Sequence, residues 1–283
     1  MPLSRSSVAA SSSNAKPAGA SASRAAQALR DLAEGASRYP LWSTLALLDI
    51  RQRYRRSAIG PFWITISMGA MIAGLGFLYA GLFRQRTDTY LPYLAAGLVV
   101  WGLIAALVVD SCATFIASEG SIKQIKAPLS VYVYRVVWRN LIVFAHYVWI
   151  YVILVLAYSV PVGLVTFLAL PGMLILVLNG VWVAMLLGLL CARFRDVPQL
   201  VANLVQVVFF VTPIMWSAEQ LTDRVVFADI NPFYHLIAIV RAPLLGQAPT
   251  ATNWLVSLGV TVAGSVLAFA LFARYRWRIA YWV

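Results

Sequence analysis

From residue 40 onward, long apolar runs alternate with short polar loops, and the runs have the length of membrane-spanning helices. Residues 61–83 carry no charge over about 23 positions, or about 35 Å as a helix, which exceeds a hydrocarbon core of about 30 Å. Further runs at 92–117, 137–158, 164–191, 198–216 and 254–272 bring the expected number of spans to six. Ahead of the first run, the apolar residues Leu41, Trp42, Leu45, Leu47, Leu48 and Ile50 precede the basic residues Arg51, Arg53, Arg55 and Arg56. This order predicts an amphipathic interface helix within residues 39–60, with polarity segregated along its length more than around it. Gly60-Pro61 ends it and Pro61 can open the next helix. Between the last two spans, residues 233–245 are apolar but number only about 13, too few to cross. They predict a short re-entrant or interfacial helix, an apolar helix on an ordinary surface loop being the alternative. The expected fold class is therefore all-α: a polytopic membrane protein with an interface helix, six transmembrane helices over residues 61–283, and short helices before the last span. Residues 1–38 are rich in Ser and Ala, almost without large apolar side chains, and are expected to be a disordered tail.

Composition agrees with lipid as the solvent. Charged residues make up 11% and hydrophobic residues 61%, with a mean hydropathy of +0.80; a soluble domain carries roughly 25% charged residues. The net charge of +12 is better read as topology than as a nucleic-acid surface, because the basic residues stand beside apolar runs. Of the 22 Lys and Arg, all but Arg84, Arg86, Arg224 and Arg241 fall on one side of the expected topology. That bias places this side, with both termini, in the cytoplasm.

The chemistry is sparse. Lys16, Lys123 and Lys126 are the only lysines and none follows a glycine, so the phosphate cradle of ATPases is absent and ATP-driven work would need another chain. The paired carboxylates or His relays of an ion-coupled carrier are also missing. Asp110 is the one acid well inside a span, either functional or paired with a nearby cation. His146 and His235 stand apart from other ligand types, and Cys112 and Cys191 read as small core residues, so no metal site is expected. Phe62, Trp63, Phe77, Tyr79, Phe209 and Phe210 suit a channel for a sliding sugar polymer, because aromatic faces stack on sugar rings without selecting one order of hydroxyls. Ordinary helix packing is the alternative. Residues 119–128 predict a short cytoplasmic helix ended by Pro128, with Glu119, Ile122, Lys123 and Lys126 placed to enter a groove on a soluble partner. The pairs Ala70/Gly74 and Gly102/Ala106 permit close helix approach.

Several motifs resemble those of polysaccharide-exporting ABC transporter permeases, nearest the lipopolysaccharide O-antigen branch, with capsule and teichoic-acid exporters close by. They are Ile50-Arg51-Gln52-Arg53-Tyr54-Arg55-Arg56-Ser57 leading to Gly60-Pro61-Phe62-Trp63, Tyr93-Leu94-Ala95-Ala96-Gly97, Glu119-Gly120 with Ile122-Lys123-Gln124 and Pro128-Leu129, Arg135-Val136-Val137-Trp138-Arg139-Asn140, Arg193-Phe194-Arg195-Asp196-Val197, Asn231-Pro232-Phe233, and the basic-aromatic stretch 275–282. The resemblance runs from about residue 40 to the end; the long Ser/Ala tail departs from it. It implies the permease subunit of an exporter in the bacterial inner membrane, a homodimer joined to two ATPase subunits that bind ATP and Mg, this chain holding no cofactor. It further implies a lipid-linked (polyprenyl) polysaccharide as substrate, coupling to the ATPase through residues 41–57 and 119–128, a channel from spans one and five, and an outer mouth at Pro213, Met215 and Trp216. Phosphates of the substrate would be guided by Arg51, Arg53, Arg55 and Arg56. A small-molecule exporter of the same architecture, or a membrane-embedded glycosyl- or acyltransferase, are the competing readings.

Overall fold

A computed structural model describes residues 18–55, 57, 59–60, 62–158, 160–216 and 229–283, and among these every regular element is helical. The chain runs through α1 (Ala18–Ser37), α2 (Tyr39–Arg53), α3 (Phe62–Leu82), α4 (Thr87–Ser111), α5 (Glu119–Gln124) and α6 (Ser130–Tyr158). It continues through α7 (Ala169–Arg193), α8 (Val197–Val211), α9 (Pro232–Leu244), α10 (Ala251–Tyr275) and α11 (Ile279–Trp282). Five helices are long and apolar enough to cross a membrane: α3, α4, α6, α7 with the 3-10 turn before it, and α10 with the short helices after it. The fifth expected span is represented by α8, whose 15 residues extend only about 22 Å.

α4 is the hub. It packs against α3, α6, α7, α8 and α9, and two thirds of its apolar stretch is buried. Small residues make this closeness possible. A Cβ on Gly102 would lie 3.2 Å from Met68 and 3.4 Å from the Tyr147 ring, so this glycine seats α3 and α6 on α4. α9 is inserted rather than laid on the surface: every residue from His235 to Arg241 is buried, against α4, α7 and α10. A Cβ on Gly172 would meet the Ile239 carbonyl at 2.5 Å, so α7 and α9 touch backbone to backbone. At its start, Asn231 caps α9 by accepting from the Phe233 N–H at 3.0 Å, with Pro232 at the first helical position. At its end, Gly246 has φ of +75°, which a side chain would strain, and its Cα faces the Pro161 carbonyl.

Two expectations need correction. Residues 18–37, expected to be disordered, form α1, which packs on α6 and α10. Leu32 is the one large apolar side chain of α1 that packs on the core. The rest of the docking surface uses Ala28, Gly35 and Asp31, all buried. A Cβ on Gly35 would lie 2.0 Å from Ser130 Oγ. The Asp31 carboxylate accepts from the Leu129 N–H at 3.2 Å and the Ser130 N–H at 3.0 Å, satisfying donors that the start of α6 leaves open, and pairs with Arg276 at 3.3 Å. Residues 1–17 of the expected tail lie outside the described residues. The second correction concerns the third span: it begins at Ser130, two turns before the expected Val137, because Asp31 caps it there and Asp49 compensates its two arginines.

Removing Asp31 leaves two helix-start donors and Arg276 without their partner, a loss of about 2 kcal/mol for bonds to a charged group. Asp31→Ala should therefore raise amide hydrogen exchange across residues 23–37 and at Ser130 by about tenfold or more, read by mass spectrometry; unchanged protection would show that α1 docks without it.

Candidate functional site

Three regions gather the polar chemistry of the chain. At the end of the bundle where α2 meets α6, the inward face of α2 carries Trp42, Ala46, Asp49 and Ile50, while Leu41, Leu47 and Leu48 stay exposed. The helix thus has one apolar face for the protein and another for lipid, which is why its amphipathicity looked imperfect in sequence. Trp42 packs its ring 5.7 Å from Trp138 and 6.2 Å from Tyr134. Asp49 takes two bonds from Arg135 and one from Arg139 at 3.1 Å; Arg139 also donates to Asp110 at 2.8 Å, as does Asn140 at 3.1 Å. Asp110, the lone acid of the second span, is thereby paired with a cation, and the cluster locks the interface helix to α4 and α6. Burial would raise the Asp49 carboxyl, but the bonds and charges of Arg135 and Arg139 outweigh it and hold it below its usual range.

The remaining arginines of that region behave differently. Arg51, Arg53 and Arg55 are exposed and make no ion pair with any described residue, and Arg56 lies outside the described residues. α2 ends at Arg53, before the expected Ser57. Nearby, the six-residue α5 carries a Glu119–Lys123 pair at 2.7 Å. Ile122 turns into the core, whereas Ile125 is 59% exposed and Lys126 stands at the rim of a hollow shared with α1 and Arg276. α11 touches α5, and Arg195 donates to the Trp282 carbonyl at 3.2 Å, so the C-terminal end joins the same platform.

The aromatic residues expected to line a channel divide. Phe62, Trp63, Phe77 and Phe210 are exposed on α3 and α8. Tyr79 instead stacks on Phe83 at 5.5 Å, and Phe209 packs on Trp101 of α4 at 5.8 Å, both partly in the core. α3 and α8 both lie on α4 and are the least enclosed of the apolar helices: 11% of the apolar stretch of α3 is buried, and on α8 only Val201 is.

The third region is the outer break after α8. Residues 212–216 leave the helix, and their carbonyls are held by side chains from elsewhere. Arg241 of α9 donates to the Pro213 carbonyl at 2.8 Å, Tyr90 of α4 to that of Met215 at 2.6 Å, and Tyr93 of α4 to that of Trp216 at 3.1 Å. Asn231 donates to Thr212 Oγ1 at 3.0 Å. Arg241 is 6% exposed and lies over the Tyr93 ring at 4.3 Å. The outer-mouth residues Pro213, Met215 and Trp216 thus engage through their backbones. Of Tyr90, Tyr93 and Arg241, none was expected as a site residue, Tyr93 entering only as the first residue of a motif, although an arginine inside a 13-residue apolar helix was a usable signal. His235 sits here too, between Asn253 Oδ1 and the Asp229 carbonyl, each at 2.8 Å, and His146 bonds the Ile142 carbonyl at 2.8 Å. Cys112 and Cys191 are buried together beside Val201.

A bundle of apolar helices long enough to span a membrane, fastened at one end by ion pairs and interrupted by an inserted short helix, defines a polytopic membrane protein. The profile of the ABC-2 type transporter family matches residues 40–245, and the chain belongs to that family. The matched region begins after α1. The O-antigen export system permease protein RfbA of Klebsiella pneumoniae is 23% identical over 177 residues, covering 62% of this chain and 68% of the relative. The protein of the same name from Myxococcus xanthus is 22% identical over 202 residues, 70% of this chain and 78% of the relative.

Two outcomes follow from this geometry. Because the folded-state pKa of Asp49 lies below the ordinary value of 3.8, its stabilisation is complete above that value and lost as pH falls through the folded pKa. Asp49→Asn should cost about 2 kcal/mol at neutral pH, less than the roughly 3–5 kcal/mol of a fully buried pair because Arg139 keeps Asp110. The variant should also lose less thermal stability in detergent than the parent as pH falls below about 4. Arg241→Met removes the donor to Pro213 while keeping an apolar stem, and should lower stability by about 2 kcal/mol; accelerated hydrogen exchange at residues 212–216 would locate the effect at the outer break.

Proposed function

We propose that the chain is the permease subunit of an ATP-driven exporter that moves lipid-linked polysaccharide, of the O-antigen type or a related cell-surface glycan, across the bacterial inner membrane. The observation that carries this reading is the similarity to O-antigen export permeases over 62–70% of the chain, inside a family match that spans α2 to the end of α9. Two permeases and two separate ATPase subunits form the working assembly, ATP and Mg being bound by the latter. The termini face the cytoplasm, in keeping with the distribution of Lys and Arg. Glu119, Lys123 and Lys126 on and after α5, with α2, form the coupling surface, while Ile122 anchors α5 to the core; exposed Ile125 supplies the apolar contact in its place.

The polymer passes along α3 and α8 of both copies, where Phe62, Trp63, Phe77 and Phe210 are free of the protomer's core while Tyr79 and Phe209 support them from behind. At the inner leaflet, Arg51, Arg53, Arg55 and Arg56 guide the phosphates of the lipid carrier through charge-assisted bonds. Freedom of the first three from ion pairing within the described residues supports that role.

The reading is tested by co-expressing the chain with a candidate partner ATPase from the same cell, reconstituting the complex in vesicles, and following ATP turnover and movement of lipid-linked polysaccharide against an ATPase-dead control. Nucleotide-dependent translocation is expected, with a several-fold loss when all four arginines become Gln and assembly is preserved. ATP turnover without polysaccharide movement would refute the substrate assignment.

A further inference from the structure

On the outer side, the start of α4, the end of α6, α9 and the turn into α10 enclose a cavity of about 780 Å³. None of the proposed channel residues lines it. Its walls alternate hydrogen-bonding groups, the phenols of Tyr158 and Tyr234, the amides of Gln85 and Gln247 and the hydroxyls of Thr89 and Thr250, with apolar ones such as Pro92, Val160, Pro161 and Leu245. The side chains of Gln85, Tyr158, Tyr234 and Gln247 make no hydrogen bond within the described residues. The two charges on the lining are already committed, Asp88 to Arg86 at 2.6 Å and Arg241 to the Pro213 carbonyl and the Tyr93 ring.

The chemistry of this lining selects its ligand. A phosphate or nucleotide asks for uncommitted cations, and a lipid chain would leave the uncommitted Gln85, Tyr158, Tyr234 and Gln247 side chains without hydrogen-bond partners. Sugar rings ask for what is present, namely paired donors and acceptors for hydroxyls and aromatic faces whose negative quadrupole meets ring C–H groups. The volume falls within the range of about 300–1,000 Å³ of small-ligand sites.

We infer that this cavity is a binding subsite for a short neutral glycan segment on the outer side of the permease, with Tyr158, Tyr234, Gln85 and Gln247 as its contacts. It rests on the polysaccharide reading and adds to it a place where the emerging chain is held. The floor of the cavity is formed by Tyr90, Tyr93 and Arg241, the same side chains that hold the carbonyls of the outer break. A bound glycan therefore sits one side chain away from the mouth and opposes backward slippage.

Saturation-transfer NMR on the purified permease in nanodiscs tests it, using lipid-free oligosaccharide repeat units released from the host cell's own surface polysaccharide as probe. Binding by the parent protein, weakened at least tenfold in Tyr234→Ala/Gln247→Ala but largely kept in Tyr234→Phe, is the expected result, with thermal midpoints confirming that each variant is folded. Absence of binding to the parent, or equal binding by the double alanine variant, overturns the subsite. Vesicle translocation by the parent complex, run in parallel, keeps the two ideas separable: translocation without oligosaccharide binding removes the subsite and leaves the exporter, whereas binding without translocation removes the exporter and leaves the subsite.

Discussion

A backbone carbonyl at membrane depth must find a donor, and the outer half of this molecule is organised around five residues that break that rule locally. Where α8 ends at Val211, residues 212–216 leave the helix. In water the loss would be trivial; in hydrocarbon each open group costs several kcal/mol. Tyr90, Tyr93 and Arg241 supply the donors, and Asn231 adds a bond to Thr212. Three further features follow. α9 must be inserted deeply enough to bring Arg241 to Pro213. α4 must present two tyrosines one turn apart at its outer end. Arg241 must be enclosed, which its position over Tyr93 and the burial around it achieve.

The end where α1, α2, α5 and α11 gather solves a different problem, that of fixing short helices to a bundle that offers them little apolar area. Here charge does the fastening. Asp49 binds α2 to two arginines of α6, and Asp31 binds α1 to the first turn of α6 and to Arg276 beyond α10. Both carboxylates are mostly enclosed, so each bond is stronger than a surface pair and each is directional. The result is a platform in which α1, α2, α5 and α11 hold set positions relative to the spans. The segment between α5 and α6 is held where Asp31 accepts from the Leu129 and Ser130 N–H groups.

Much of this was legible in the sequence. The spans declared themselves through uncharged runs, and α9 through an apolar run too short to cross. What was not legible depended on partners distant in sequence. Asp31 looked like one polar residue in a Ser/Ala tail because its partners, Ser130 and Arg276, lie about 100 and 250 positions away. The low hydrophobicity of that tail was read as disorder, yet Ala is the best helix former and Ala28 and Gly35 are small enough for helices to touch. The aromatic candidates could be named but not sorted, since residues 209 and 210 are both Phe. Only the packing of α8 on α4 puts Phe209 on Trp101 and leaves Phe210 outside.

That sorting bears on why α3 and α8 are so sparsely enclosed. Exposure of apolar side chains proves nothing in a bilayer, because lipid tails cover them as well as protein does. Glycine is another matter. On α3, Gly69, Gly74 and Gly81 face open space, with no atom near where a Cβ would stand. A lipid-facing helix gains nothing from them and loses roughly 1 kcal/mol of helix propensity at each. Gly102 on α4 illustrates the usual return on such a cost, a close helix approach within the protomer. The α3 glycines lack that return until something else lies along the helix. In the proposed homodimer, the second copy and the passing polymer supply it, and the same face then carries both small residues that admit a neighbour and large aromatics that slide against a sugar chain.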